Sequence, residues 1–398
     1  MNGKYIMSDG LTIIGHRGFR GKYEENTLRG FKECYAAKAT GIELDLYLTK
    51  DNVVVVSHDA TTCRMFRDEN GNIVDKNILD STYSELKGLR TVKERENLLT
   101  FGDVLNWFVK YDEENGYTTH KLMLDIKKEN PAKVVKYILK DLLSVNEDIQ
   151  WWFPRIQFGI WDLNIVKYMN QPYFREIFGK VPNYGLPNSR LDIVHISFAW
   201  QDSMHFLAYN DYLDSLPDKD LKLKVTGVSL LYVLTWSYWC LVNFLPKLRR
   251  HNMKLYSWTV NTFDKSLYHQ ILGCSFGIIE YGIVTDYPDV MVEFHKRQNN
   301  VISKNILFRQ DQVRAKYLGK KINEDQCVSE AVYASCSWGK VLLTNIWTFV
   351  LWLRGNIVTK DELEFNSVVD DNYRGSFHTI VLRILKSGFQ LGQRYGIF

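Results

Sequence analysis

Four places in the chain carry acid, base or phosphate-holding side chains at spacings that could act together. His16 and Arg17 follow the apolar run Leu11–Gly15. Glu43 and Asp45 sit two apart within Gly41–Leu48, His58 and Asp59 follow Val53–Ser57, and Asp125 and Lys127 sit two apart within Lys121–Lys127. Residues two apart on a strand share a face, so Glu43 and Asp45 point one way while Ile42, Leu44 and Leu46 point to the packing layer. Asp125 and Lys127 repeat that geometry against Leu122, Leu124 and Ile126.

Three carboxylates crowded together repel unless a cation neutralises them, and an all-oxygen donor set suits Mg²⁺ or Ca²⁺ better than zinc. Glu43, Asp45 and Asp125 with one divalent ion, Arg17 and Lys127 leave a single formal positive charge, the complement of a phosphodiester. Two histidines titrating near neutrality on either side of that phosphate can act as general base and general acid, in an order that the sequence leaves open. Trp258, in Ser257-Trp258-Thr259-Val260-Asn261, is either core or an aromatic wall of the substrate pocket. Each feature alone has a bland structural explanation, but their conjunction is much harder to reach by chance. His195 stands alone and is assigned to packing. His120, His205, His251, His269, His295 and His378 lack acidic or metal-spaced context and are assigned to the surface.

The elements that must position these residues are legible as an alternation. Further β-branched runs at Arg155–Trp161, Leu191–Phe198, Val225–Leu230, Leu255–Val260 and Tyr281–Thr285 alternate with amphipathic stretches such as Asn26–Ala39, Thr100–Tyr111, Pro131–Val145, Phe263–Leu272 and Pro288–Arg297. The runs 41–48 and 53–57, separated by Thr49-Lys50-Asp51-Asn52, read as a hairpin. The remaining alternation predicts a parallel α/β sheet, and eight such units before residue 297 fit a (β/α)₈ barrel better than an open doubly wound sheet. No GxGxxG pattern supports a dinucleotide site. A barrel also explains why the chemistry clusters after strands, because that is the end where barrels place active sites.

Residues 1–297 are therefore expected to form the catalytic barrel and residues 298–398 a C-terminal, membrane-associating helical extension. Lys/Arg and Asp/Glu balance at 37 each through residue 300, whereas residues 301–398 hold 13 against 9, so the whole formal excess of +4 lies in the tail. A neutral body with a basic tail argues against nucleic acid as a partner and for an anionic membrane surface. The tail carries a basic cluster, Lys304, Arg309, Arg314, Lys316, Lys320 and Lys321, and then an uncharged run, Val341–Leu353, between Lys340 and Arg354. As a helix that run spans about 20 Å, short of the roughly 30 Å hydrocarbon core, so shallow insertion is expected rather than a crossing. Phe377, Ile380, Val381, Ile384 and Leu385 recur at helical spacing, which fits an interfacial helix or, alternatively, a small helical subdomain docked on the barrel. A second uncharged run, Val228–Leu245, is read as a buried strand end followed by an aromatic loop and helix at the barrel mouth. Cys34, Cys63, Cys240, Cys274, Cys327 and Cys336 show neither disulfide-framework nor zinc spacing, which suggests a reducing compartment. The N-terminal MNGKYIMSDG shows no apolar core of signal-peptide length.

At these residues the chain resembles the glycerophosphodiester phosphodiesterase family. The likeness rests on Gly15-His16-Arg17-Gly18, Glu25-Asn26-Thr27, Gly41-Ile42-Glu43-Leu44-Asp45, Val56-Ser57-His58-Asp59, Trp258-Thr259-Val260-Asn261 and Gly282-Ile283-Val284-Thr285-Asp286, in the family's order from residue 11 to about 290. Within the family it looks most like the fungal phosphatidylglycerol phospholipases C, on Leu122–Lys127, Gly159-Ile160-Trp161, Gly227-Val228-Ser229 with Leu245-Pro246, and the aromatic tail. The resemblance implies a (β/α)₈ barrel using a divalent metal held by Glu43, Asp45 and Asp125. It also implies His16 and His58 as acid/base residues, and Arg17 and Lys127 as phosphate holders. Two positions depart from the family pattern: Asp125 stands where Glu is usual, and Glu24 where Pro is usual, with Asn26 expected to cap the following helix. The implied activity is hydrolysis of phosphatidylglycerol to diacylglycerol and glycerol 3-phosphate, with an intracellular, peripheral or monotopic location at mitochondrion, lipid droplet or endoplasmic reticulum. The competing readings are a soluble phosphodiesterase of deacylated head-group esters, a catalytically inactive lipid-binding barrel and a sphingomyelinase-D-like activity.

Overall fold

The computed structural model describes residues 11–116, 120–181, 190–217, 222–297, 338–353 and 364–375. In chain order its strands are β1 (Thr12–Gly15), β2 (Gly41–Leu48), β3 (Val54–Val56), β4 (Phe66–Arg67), β5 (Arg90–Thr91), β6 (Lys121–Ile126), β7 (Ile156–Ile160), β8 (Asp192–Ser197), β9 (Gly227–Leu231), β10 (Lys254–Trp258) and β11 (Tyr281–Thr285). Among the described residues the main sheet runs β1-β11-β10-β9-β8-β7-β6-β2, all parallel, and β1 also pairs with β2. That last pairing closes the sheet into an eight-stranded barrel, with β3 added antiparallel outside β2. Parallel strands buried on both faces need apolar runs rather than simple alternation, and every residue of β2, β7, β8 and β11 is buried.

The hairpin expected between residues 41 and 57 is present, with Leu46, Tyr47 and Leu48 opposite Val56, Val55 and Val54. Asn52 turns the corner in the left-handed region at φ 65°, a conformation that asparagine tolerates better than most residues. The chain then returns to the barrel mouth, where the Ser57 N–H donates to the Asp45 carbonyl at 3.0 Å.

Helices Leu28–Ala36, Phe101–Glu114, Val134–Val145, Trp200–Ser215 and Phe263–Phe276 flank the sheet, and residues 288–297 are also helical. Thr100 and Asp103 form a reciprocal capping box at the second of these, each satisfying backbone donors of the first turn. The uncharged run 228–245 does not form a single helix. It comprises β9, a 3₁₀ turn (Tyr232–Trp236), a π-helical turn (Cys240–Phe244) and the start of helix Leu245–Arg250. This is the expected strand end followed by a loop and helix at the mouth.

Helix Trp338–Leu353 begins three residues earlier than the expected uncharged run. Asn345 Oδ1 accepts from Ser237 Oγ and from the Tyr238 N–H, both at 3.1 Å, which pins this helix to the loop after β9. No described helix is long and apolar enough to cross a membrane. Residues 364–375 lie along the barrel flank. The Ala132 and Lys133 N–H groups donate to the Tyr373 and Asp371 carbonyls at 2.8 and 2.9 Å, and Phe365 packs on Tyr209 and Tyr212. The basic cluster 304–321, Arg354, the 377–386 pattern, His378, Cys327 and Cys336 lie outside the described residues.

Candidate active site

The first segment of the site is a turn that only glycine permits. A Cβ on Gly15 would stand 2.0 Å from the Gly18 carbonyl oxygen and 2.3 Å from Cys34 Sγ, so the chain can fold back at the end of β1 only without one. Arg17 then adopts φ 50°, unusual for a long side chain. Its N–H donates to Glu43 Oε2 at 2.7 Å, and the Gly18 N–H donates to the Glu43 carbonyl at 3.2 Å. The turn is thus locked to β2, with His16 at the mouth and the Arg17 guanidinium directed at the carboxylates.

Those carboxylates converge through strand register. Asp45 on β2 and Asp125 on β6 are direct Cα partners, and Glu43 lies two residues before Asp45 on the same face. One oxygen from each of Glu43, Asp45 and Asp125 falls within 4.8 Å of the others, and all three residues are buried. Lys127 bridges the pair, its Nζ 2.5 Å from Asp45 Oδ1 and 2.6 Å from Asp125 Oδ2. Arg17 Nε lies 3.5 Å from Asp45 Oδ2 and, although buried, makes no hydrogen bond. Burial, then the charges of Asp45 and Asp125, push Glu43 well above the ordinary carboxyl range. Burial would also raise Asp45, but Lys127, Arg17 and His58 hold it far below its usual value. Lys127 is raised by Asp125, Asp45 and Glu43 against the opposing effect of burial. Formally, the three carboxylates carry one more charge than Arg17 and Lys127 together offset. An oxygen-only trio at this separation fits a hard divalent cation.

Two further contacts hold the trio. Asn26, at φ 58°, donates Nδ2 to Asp45 Oδ2 at 2.8 Å, and its Oδ1 accepts from the Asp45 N–H at 3.4 Å. Asn26 is therefore a buttress of Asp45 and not the helix cap expected from sequence. The cap of Leu28–Ala36 is Thr27, whose hydroxyl accepts from the Gly30 N–H, because the positive φ of Asn26 turns its amide inward. At the end of β7 the Trp161 indole N–H donates to Asp125 Oδ1 at 2.6 Å.

Each histidine is backed by a carboxylate. His16 Nδ1 lies 2.7 Å from Asp286 Oδ1, just past β11, and His58 Nδ1 lies 2.7 Å from Asp59 Oδ1. Both contacts leave Nε2 for a ligand. Burial lowers the His16 pKa below that of an ordinary imidazole, against the Asp286 hydrogen bond that would raise it. Asp286 is held at about 2: burial would raise it, and the His16 and Asn261 hydrogen bonds prevail.

His16, Arg17, Glu43, Asp45, His58, Asp125, Lys127 and Trp258 all line one pocket, so every candidate residue meets in a single cup. Met123, Ile196, Trp161, Phe198 and Trp258 also line this pocket. The last three rings pack on one another with centroids 5.0 to 5.8 Å apart and form an aromatic wall. Trp258 is thus a pocket residue.

The other histidines require corrections. His195 is buried, stacked on Phe206 and 2.9 Å from Ser203 Oγ, as packing predicts. His269 and His295 are not on the surface: each is buried with one ring nitrogen beside a serine hydroxyl, Ser257 and Ser266 respectively. His120 does have acidic company, with Asp112 at 3.3 Å and the Tyr35 ring stacked at 3.9 Å. Sequence reasoning gave no role to Glu25, Asp59, Arg64, Trp161, Phe198 or Asp286. The motif positions of Glu25, Asp59, Trp161 and Asp286 were a usable signal, whereas Arg64 and Phe198 carry none.

The sequence pattern of the Glycerophosphoryl diester phosphodiesterase family matches residues 16–290, a span that contains every residue of the cup. The chain is 26% identical over 296 residues to a glycerophosphodiester phosphodiesterase of Bacillus altitudinis, covering 71% of this chain and 98% of that one. A shorter stretch of 54 residues is 47% identical to lysophospholipase D GDPD3 of Homo sapiens, 14% of this chain and 17% of that one. In structure the chain is similar to a glycerophosphoryl diester phosphodiesterase family protein of Silicibacter pomeroyi, with a TM-score of 0.51 and 20% identity over 73% of this chain and 94% of the other. With the barrel, the carboxylate trio and the family pattern in agreement, this chain belongs to the glycerophosphodiester phosphodiesterase family and is a phosphoric diester hydrolase.

Proposed function

We propose that the enzyme hydrolyses phosphatidylglycerol, at a membrane surface, to diacylglycerol and glycerol 3-phosphate. The observation that carries this reading is the two-sided cup. A charged half (His16, Arg17, His58, Lys127 and the carboxylates) suits a glycerophosphoryl group, and the aromatic wall of Trp161, Phe198 and Trp258 suits the apolar backbone of a diacylglycerol. The helix Trp338–Leu353, fixed beside the β9 loop, exposes Leu342, Leu343, Ile346 and Phe349, and Trp239 is exposed nearby in the sequence of that loop. At 16 residues the helix spans about 24 Å, too short to cross and suited to lying in the interface.

Glu43, Asp45 and Asp125 would hold a divalent cation, Mg²⁺ or Ca²⁺, which when bound polarises the phosphoryl oxygens. Arg17 places its guanidinium beside the same charge, and Lys127 keeps Asp45 and Asp125 together. His16, with its lowered pKa and Asp286 on Nδ1, is neutral at neutral pH and serves as base through Nε2. It takes the proton of the head-group 2-hydroxyl as that oxygen attacks phosphorus. His58 then protonates the departing diacylglycerol oxygen, and a cyclic glycerol phosphate remains. Water opens that ring with the two histidines in exchanged roles. Phosphatidylcholine has no such free hydroxyl on either side of its phosphate, so selectivity among intact phospholipids follows from the chemistry of the head group.

A second reading, a soluble phosphodiesterase of deacylated esters, is supported by the similarity to the Bacillus altitudinis enzyme over nearly its whole length. Assaying phosphatidylglycerol against glycerophosphocholine side by side separates the two. Preferential release of diacylglycerol supports the lipid substrate, and turnover of glycerophosphocholine alone supports the soluble one. Undiminished cleavage of a 2-deoxy head-group analogue rejects internal attack.

A further inference from the structure

The two histidines are joined by a continuous path of ion pairs that passes through one buried carboxylate, Glu25. On one arm, Arg64 Nη2 lies 2.5 Å from Glu25 Oε1 while Arg64 Nε binds Asp59 Oδ2, the second oxygen of the carboxylate that orients His58. On the other arm, Arg20 Nε lies 3.1 Å from Glu25 Oε2 and Arg20 Nη1 lies 3.6 Å from Asp286 Oδ1, the oxygen that faces His16. Glu25 also accepts from Arg17 Nη1 at 3.0 Å. Three guanidinium groups thus converge on one side chain that is itself only 6% exposed. Burial would raise the Glu25 pKa, but the Arg64 hydrogen bond and the Arg17 charge hold it at about 2, so it is ionised throughout the working range.

From this geometry we infer that Glu25 is a positioning residue that sets the orientation of both histidines at once, through Arg64–Asp59 for His58 and through Arg20–Asp286 for His16. Asp59 neighbours His58 in sequence on a half-exposed loop, and Asp286 is held on its far oxygen by Asn261 at 2.7 Å, which leaves its near oxygen shared between His16 and Arg20. Arg20 and Arg64 are each over 40% exposed, so either pair alone would be weak. Anchoring both in one buried carboxylate gives each arginine a fixed end, so that holding the second contact requires less ordering of a long side chain. The arrangement lets the base and acid keep a constant separation across the phosphate. This inference rests on the two-histidine reading and adds the residue that coordinates the pair.

The test uses the full chain with a divalent cation present and reads the histidines directly, by the far-downfield proton resonances of their Nδ1–H groups in the NMR spectrum, together with kcat and KM on the better of phosphatidylglycerol and glycerophosphocholine. In Glu25→Gln both resonances shift or broaden. In Arg64→Gln only the His58 resonance does so, in Arg20→Gln only that of His16, and Arg64→Lys restores part of the loss. Each single-arm variant lowers kcat ~10-fold, a part of the ~10²-fold that a general acid or base contributes, with KM within about twofold. Unchanged resonances and kcat in Glu25→Gln overturn the inference. So does an Arg64→Gln or Arg20→Gln variant that disturbs both histidines alike, since that would reveal a general loosening. Because the resonances report imidazole orientation whichever ester is cleaved, a failure of the phosphatidylglycerol reading remains distinguishable from a failure of this one.

Discussion

The indole N–H of Trp161 donates to Asp125 Oδ1 at 2.6 Å, across the gap between the ends of β7 and β6. Asp125 is one methylene shorter than the glutamate that the resemblance led us to expect there, and its other oxygen is drawn to Lys127 at 2.6 Å. The short carboxylate is therefore held from both sides. Hydrogen bonds that orient a metal ligand commonly contribute 10- to 100-fold to affinity. Replacing Trp161 by Phe keeps the wall and removes the donor, so divalent-cation affinity measured by isothermal titration should fall ~10-fold. An unchanged affinity would show that Trp161 serves only as wall.

Lys127 offers a second prediction. Its ammonium lies between Asp45 and Asp125 in a buried cluster, and removing one partner of such a group costs about 3 to 5 kcal/mol. Lys127→Ala should lower the melting temperature in chelator, and added divalent cation should recover more stability than it does for the wild type. Equal recovery in both proteins would contradict the shared-charge account.

His16→Ala and His58→Ala should each lower kcat by about 10² or more while the protein stays folded. The two variants should differ in origin, since His16 is buried against Asp286 and His58 is more open at the mouth. Steady-state rates with circular dichroism as a control for folding check both, and near-normal turnover in either would remove that histidine from the chemistry.

Glu25 also governs acid stability. Its folded pKa of about 2 lies below the ordinary glutamate value of 4.5, so an unfolded chain binds the proton more readily and the folded state loses its advantage as pH falls. The stabilisation, on the order of 3 kcal/mol, is full above about pH 4.5 and is lost progressively toward about pH 2. Denaturant unfolding of Glu25→Gln should therefore show a weaker dependence on pH across that window than the wild type. Parallel pH profiles would place the acid sensitivity elsewhere.

Much of the site was legible because strand periodicity is so short-ranged. Glu43 with Asp45, and Asp125 with Lys127, needed only the two-residue repeat, and the barrel's single active end gathered them with His16 and His58. Contacts that depend on register between distant strands were not legible. Trp161 reaches Asp125 because β7 lies beside β6, and Asp286 reaches His16 because β11 pairs with β1. Asn26 misled because a helix cap is a local inference, whereas its actual partner Asp45 comes from a different strand. His269 and His295 looked like surface residues because nothing nearby in sequence announces the serines that each of them meets in the interior. The flank contact of residues 364–375 pairs Pro131 with Arg374, a separation that no pattern in the sequence bridges.

The most direct test is product analysis with purified full-length protein and phosphatidylglycerol labelled in the head group, run with and without chelator and beside glycerophosphocholine. The account predicts labelled glycerol phosphate and free diacylglycerol, both abolished by chelator and by His16→Ala. Intact phosphatidylglycerol alongside hydrolysed glycerophosphocholine would contradict it.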